Sequence, residues 1–362
     1  MKIGILTFHR AINFGAVLQC FALYETLRGM GHDVEVIDYR PSYIEKYRRL
    51  FYWKEFKRRS FLSKIKTLCD LPFSYYQKRK TSKIFDDFLN EHIRFSNVVK
   101  GAQDVPAYYD VIVFGSDQIW NPRICEGLDP VFWGQFDKGK REFVSYAASI
   151  GTPQNIKTEQ WATISEYLRS FDELSVREVK LAEFIQRTGM DVEVVLDPTL
   201  LISPNMFERL AAMPSETNYV LLYMLEYDSK TISFAQDIAR QKGLRLLRLQ
   251  ATTTSAKSHR EYDTITPKSV YEFLGYFKYA DYIVNASFHG TVFSFLFRKD
   301  FYTVRTNNYE RACGFLNSVG LIDRFVDPIN TINMVSIDYT NPCSKLEILR
   351  QQSVNYISEV TK

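Results

Sequence analysis

Apolar and polar positions alternate over residues 2–8 in the manner of a buried strand, and "AVLQCFALYETLRGM" then sets Val17, Leu18, Phe21, Ala22 and Leu27 at helical spacing. Gly29 and Gly31 supply a helix stop, and "DVEVIDY" opens a second strand. A βαβ unit of this kind implies parallel strands joined by a right-handed crossover. Further strands are expected at "DVIVFG" (110–115), "EFVSYAAS" (142–149), "ELSVR" (173–177) and "VEVVLD" (192–197), with an amphipathic helix "EVKLAEFIQRTG" between the last two. Pro198, Pro204 and Pro214 then punctuate "DPTLLISPNMFERLAAMPSET", where we place a domain boundary.

A second alternating series follows: strand "YVLLYML", helix "KTISFAQDIARQKG", strand "LRLLRLQA", helix "SVYEFLGYFKYA", strand "DYIVNAS", helix "TVFSFLF", strand "FYTVR" and helix "YERACGFLNSVG". The pattern predicts an α/β protein of two doubly wound, Rossmann-like domains facing a cleft. The first covers residues 1–200 with an insertion at about 45–100, the second covers 215–345, and 346–362 form a C-terminal helix. Ligands of such domains bind where the C-terminal ends of the strands face each other.

Composition adds little to this picture but removes alternatives. A chain of 362 residues suits two domains, and 46% hydrophobic with 24% charged residues excludes a disordered or fibrous protein. No run of about 18 apolar residues is present to span a membrane, and the N-terminal apolar run is too short for a signal peptide. Five cysteines without CxxC spacing point to reduced thiols and a cytoplasmic location. The net charge of +4 is unevenly spread: residues 46–83 carry thirteen Lys and Arg against Glu55 and Asp70, which leaves the remainder at −7. That patch interleaves Phe51, Tyr52, Trp53, Phe56, Phe61 and Leu62 with cations, as a helix on an anionic membrane surface does; a solvated helical face has the same look.

Candidate chemistry sits at strand ends. In "DYIVNASFHGTVFSFLF", His289 follows a strand and precedes a helix whose free N–H groups and positive dipole end favour an anion. Gly290 lets the backbone approach closely, and Ser287 or Thr291 can cap the helix or donate to a phosphate. A histidine there either serves chemistry near neutral pH or only fills a helix corner. "VFGSDQIWNP" has the same form, with Ser116, Asp117 and Gln118 suited to sugar hydroxyls and Trp120 suited to a sugar face; a plain turn and a core tryptophan are equally consistent. In the first βα turn, Asn13, Gly15 and Gln19 are placed to present polar groups to the cleft or to form a turn. Arg177 of "SVRE", and after the later strand Arg305 and Arg311, could hold phosphate or carboxylate, or form surface ion pairs. No zinc motif, phosphate-binding GxxxxGK[ST] loop or GxSxG elbow is present, and no metal is expected.

Six segments in order, "NFGAVLQCFALYETLRGMGHDVEVIDY", "GSDQIWNP", "SYAASIG", "SVRE", "VLDPTLLI" and "SFHGTVFSFLF", resemble the polysaccharide pyruvyl transferase family over nearly the whole chain except about 45–100. The resemblance implies a GT-B-like fold, phosphoenolpyruvate as co-substrate with no cofactor, and a saccharide acceptor, lipid-linked or not, that becomes a pyruvate ketal in a bacterial capsule, exopolysaccharide or cell-wall glycan. It carries the family's donor-side histidine to His289 and its arginine to Arg177, with Ser287, Phe288, Gly290 and Thr291 around them. Where many members have a basic residue, this chain has Ser287, so Arg305 and Arg311 are the candidates to supplement Arg177. The acceptor side would comprise Asn13, Gly15, Gln19, Ser116, Gln118 and Trp120, with Asp117 as base. A lipid-linked acceptor would give the 46–83 patch a purpose at the inner face of the plasma membrane. The rival expectations are a GT-B glycosyltransferase using a nucleotide sugar and a non-catalytic glycan-binding protein; no nucleic-acid-binding signature accompanies the basic patch.

Overall fold

The computed structural model describes the chain apart from residues 47, 49–60, 154–155, 251–261, 307–308 and 330–333, and apart from the side chains at 61–75, 77 and 158. Most of the basic aromatic patch, including Phe51, Tyr52, Trp53 and Phe56, therefore lies outside the described residues.

The N-terminal half is built on β1 (Lys2–Leu6), α1 (Phe14–Gly29), β2 (Asp33–Tyr39), the single turn α2 (Ser42–Glu45), the long α3 (Phe61–His92), β3 (Phe95–Val99), β4 (Val111–Asp117), β5 (Glu142–Ala148), α4 (Thr158–Leu168), β6 (Ser175–Val176), α5 (Val179–Gln186) and β7 (Glu193–Val194). After α6 (Pro204–Leu210) come β8 (Tyr219–Tyr223), α7 (Ser229–Lys242), β9 (Arg245–Leu249), β10 (Asp263–Ile265), α8 (Val270–Lys278), β11 (Tyr282–Asn285), α9 (Phe288–Leu296), β12 (Phe301–Val304), α10 (Glu310–Val319), β13 (Phe325–Val326) and α11 (Thr340–Glu359). Strands β1–β7 form one parallel sheet in the order 3-2-1-4-5-6-7, and β8–β13 a second in the order 10-9-8-11-12-13. The strand order reverses direction between β1 and β4 in the first sheet and between β8 and β11 in the second, which opens a crevice at the strand C-termini in each.

Local chemistry sets the helix ends that matter for the site. Asn13 Oδ1 accepts from Ala16 N at 3.2 Å to start α1, and Ser287 Oγ accepts from Gly290 N at 3.0 Å to start α9. Gly243 and Gly320, in the left-handed region, end α7 and α10. The largest apolar cluster belongs to neither half alone. It runs from Ile3 and Val17 under the first sheet through Phe14 and Phe273 to Phe293 beneath the second and Ile357 of α11. Phe14 stacks on Phe273 at 4.2 Å and meets Phe85 of α3 at 4.8 Å, so α1, α3 and α8 lock the halves together. The C-terminal helix α11 returns to the first sheet, where Tyr356 Oη donates to Ser145 O at 3.1 Å and Ser353 Oγ accepts from Leu196 N at 2.9 Å. Among the described residues no helix is long and apolar enough to cross a membrane.

Candidate functional site

The C-terminal ends of β4, β6 and β7 meet the start of α9 at a buried cluster of charge. Its centre is Asp197, which follows β7 in the segment between the two sheets. Fully buried, its carboxylate accepts from Arg177 Nη1 at 2.6 Å, from Thr199 N at 3.0 Å and Thr199 Oγ1 at 2.6 Å, and from Ser116 Oγ at 3.3 Å. Across the crevice His289 Nε2 lies 3.7 Å from the same Oδ2, too far for a hydrogen bond. Burial alone would raise the Asp197 pKa; the facing imidazole and guanidinium and the Thr199 hydroxyl overcome it and hold the carboxyl well below the usual carboxylate range.

Arg177 is almost wholly buried and has carboxylates on three sides: Asp197, Glu178 with its Oε1 3.4 Å from Nε, and Asp117 with its Oδ1 3.8 Å from Nη2. Nη2 nevertheless has no hydrogen-bond partner, and neither has His289 Nε2. Phe288 lies between two cations, its ring centroid 4.9 Å from Arg177 Cζ and 5.8 Å from Arg311 Cζ. Among the described residues no carboxylate stands within ion-pairing distance of Arg311. Loss of hydration and the charge of Arg177 lower its pKa, but a guanidinium so placed keeps its charge. Arg177, Glu178, Asp197, Phe288 and Arg311 line a cavity of about 430 Å³ between the halves. Two guanidiniums stand among its lining charges, and Arg177 Nη2 is a buried donor without a partner.

The imidazole is held in place by the opposite half. A Cβ added to Gly15 would lie 2.1 Å from His289 Nδ1, so the first turn of α1 packs directly on the ring. Beneath it a chain of hydrogen bonds passes from Gln19 Nε2 to Thr7 Oγ1 at 3.0 Å, from Thr7 Oγ1 to Ser116 O at 2.9 Å, and from Ser116 Oγ to Asp197. Asp117 closes β4 with φ +70, a left-handed conformation that aspartate tolerates better than most residues, and its carboxylate stays partly open to the crevice.

Several expectations are corrected by this geometry. Trp120 offers no face to a sugar: it is 1% exposed, stacks on Trp133 at 4.7 Å and donates Nε1–H to Phe132 O. Gln19 is fully buried and serves the network below the site instead of the cleft. Thr291 is buried too, its hydroxyl shared among Asn285, Ser287 and Thr303, so it ties α9 to β11 and β12 instead of facing the crevice. Arg305 is half exposed, 3.4 Å from Asp327 and packed near Tyr309 and Phe325, which removes it as the partner of Arg177. Asn13 and Ser287 spend their side-chain oxygens on helix caps, Gly290 gives its N–H to the second cap, and Gln118 Oε1 accepts from Asn121 Nδ2 at 2.7 Å.

Two residues of the cluster, Asp197 and Glu178, have no assigned role in the sequence reading. Both stand in the quoted motifs "VLDPTLLI" and "SVRE", where a carboxylate directly after a strand was the available signal. Among the described residues no group of three or more His, Cys, Asp or Glu side chains is placed to hold a metal ion.

No curated protein matches the chain at a significant level. Among solved structures it is similar to a Listeria monocytogenes protein assigned as a UDP-N-acetylglucosamine 2-epimerase, with a TM-score of 0.50 at 10% identity over 98% of this chain and 89% of that one. It is equally similar to the trehalose-6-phosphate synthase OtsA, with a TM-score of 0.50 at 8% identity over 100% and 99% of the two chains. At such identity the likeness is one of fold, the two-domain GT-B type. A model of the polysaccharide pyruvyl transferase family matches residues 13–308, from the Asn13 cap through Arg177 and Asp197 to His289, and with most of the chain inside that match the protein belongs to this family.

Proposed function

We propose that the protein transfers the enolpyruvyl group of phosphoenolpyruvate to a saccharide and closes it to a pyruvate ketal, in the making of a capsule, exopolysaccharide or cell-wall glycan. The observation that carries the reading is Arg177 Nη2, a buried donor with no hydrogen-bond partner, beside Arg311, which among the described residues has no carboxylate within ion-pairing distance; His289 Nε2 across the crevice has no partner either. Donor carboxylate and phosphate would offset these charges, and the same groups would then stabilise negative charge building on the leaving phosphate. Family membership supports the group transferred.

The acceptor would approach from the first sheet, between Gly15 and the Ser116–Gln118 turn. There Asp117 is the carboxylate open to a hydroxyl proton, and its distance of 3.8 Å from Arg177 puts it next to the donor. The reaction as proposed uses no cofactor. It would take place in the cytoplasm, and an acceptor on a lipid carrier would bring the enzyme to the inner membrane face.

Phosphate release from phosphoenolpyruvate, measured with galactose-, mannose- and N-acetylhexosamine-containing acceptors, tests this. Acceptor-dependent release in the wild type and a loss of at least about a hundredfold in His289→Ala are expected. No release with any acceptor, together with saturable binding of a nucleotide sugar, would replace the reading by glycosyl transfer.

A further inference from the structure

We propose that Glu178, through its free Oε2, is the acid that protonates the methylene carbon of the donor, leaving His289 to the departing phosphate. The inference rests on the function proposed above, which needs a proton delivered to carbon and has so far assigned none.

Glu178 is a carboxyl group with one oxygen committed and one idle. Oε1 accepts from Ser149 Oγ at 2.7 Å and faces Arg177 Nε at 3.4 Å; Oε2 is buried with no hydrogen-bond partner. The residue occupies the cap position of α5, yet its side chain accepts from none of the first-turn amides and turns into the cluster instead. It lines the same cavity as Arg177, Phe288 and Arg311. A buried carboxylate oxygen without a donor is costly, and a proton on that oxygen with an acceptor or a reacting carbon in the cavity removes the cost.

The surrounding charges make the proton conditional on the ligand. Arg177 beside it and Arg311 from α10 favour the anion, as does the Ser149 hydroxyl at the end of β5, while burial opposes it more strongly, so the Glu178 pKa stands above the ordinary value. Asp117 and Asp197 already draw on the Arg177 charge from β4 and from the segment after β7. A donor anion seated on Arg177 and Arg311 would cancel what remains of their hold on Glu178, and the carboxyl would take up a proton as the donor binds.

The step balances without an outside reagent. The proton leaves Oε2 for the methylene carbon, whose π pair forms the new C–H bond and leaves an oxocarbenium-like centre on the adjacent carbon. An acceptor hydroxyl oxygen bonds to that centre and gives its proton to Asp117. A second hydroxyl oxygen then bonds as the carbon–oxygen bond to phosphate breaks. The proton held by Asp117 then passes to the departing phosphate and the proton of the second hydroxyl refills Glu178, so that both carboxyl groups return to their starting states.

Titration calorimetry with phosphoenolpyruvate in buffers of different ionisation enthalpy, on the wild type and on Glu178→Gln, tests the proposal. Proton uptake greater in the wild type than in the variant by about one proton per donor bound is expected. Turnover in Glu178→Gln should fall at least about a hundredfold while donor affinity is unchanged or tighter, since the variant needs no proton to receive the donor, with Glu178→Asp recovering part of the rate. Equal proton uptake in the two proteins, or a Glu178→Gln rate within about threefold of wild type, would overturn it. Should Glu178→Gln not fold, wild-type binding without any uptake overturns it and uptake in the wild type with an active Glu178→Asp sustains it. A wild type that does not bind phosphoenolpyruvate takes the function reading down together with this one.

Discussion

A methyl group on Gly15 would enter the imidazole of His289, a ring carried by the first turn of the capped α9. Gly15→Ala should therefore displace the ring and lower turnover about ten- to a hundredfold at a stability cost of about 1–3 kcal/mol, read from kcat and Tm together. Asp197 faces the other side of that ring, 3.7 Å from Nε2. Asp197→Asn leaves Arg177 buried without its shortest ion pair and should cost about 3–5 kcal/mol at pH 7 in denaturant unfolding. Its pH dependence has a definite sign. The folded pKa is depressed, so the contribution is complete above the ordinary aspartate value of about 3.9 and lost as pH falls below it; the gap between wild type and variant should narrow under acid. At this scale residue type was legible and residue role often was not. Trp120 and Gln19 have the chemistry of a sugar site, but a tryptophan three residues past a strand turns inward where Trp133 offers a stacking partner, and no local pattern signals that partner.

Elements that bridge the two sheets carry a further share of the site's geometry. Phe14, in the first turn of α1, lies between Phe85 and Phe273, so Phe14→Ala should cost about 3–5 kcal/mol by urea unfolding and also loosen the seat of Gly15. The C-terminal helix is a second bridge. It covers the end of β7 beside Asp197, and Arg350 Nε donates to Leu200 O at 2.7 Å. Removing residues 340–362 should take Leu346, Tyr356 and Ile357 out of the shared core, uncover Tyr146 against which Tyr356 packs at 6.4 Å, and lower Tm, with reduced yield of soluble protein as the check. Periodicity reveals the helices that bury one face and the strands that are apolar on both. It does not reveal β3, β10 or β13, which are short, lie at or next to sheet edges and are only partly buried, so that pairing alone makes them strands.

Across the whole molecule the apolar cluster that joins both sheets and α11 makes the halves thermodynamically one body. Calorimetric unfolding is expected to show a single transition, and two resolved peaks would contradict a shared core. By itself the sequence determined two α/β layers and the strand ends on which Arg177, Asp117 and His289 stand, because strand and helix periods and caps are local properties read within a dozen residues. Only the tertiary structure decided which of those ends meet: Asp197 paired with Arg177 and facing His289, Arg311 and not Arg305 standing with Arg177 around Phe288, and Glu178 left with an idle oxygen. The physical reason is that a charge is paired, free or buried according to neighbours brought by elements a hundred residues away. Distances across a crevice leave no period in the chain that forms them.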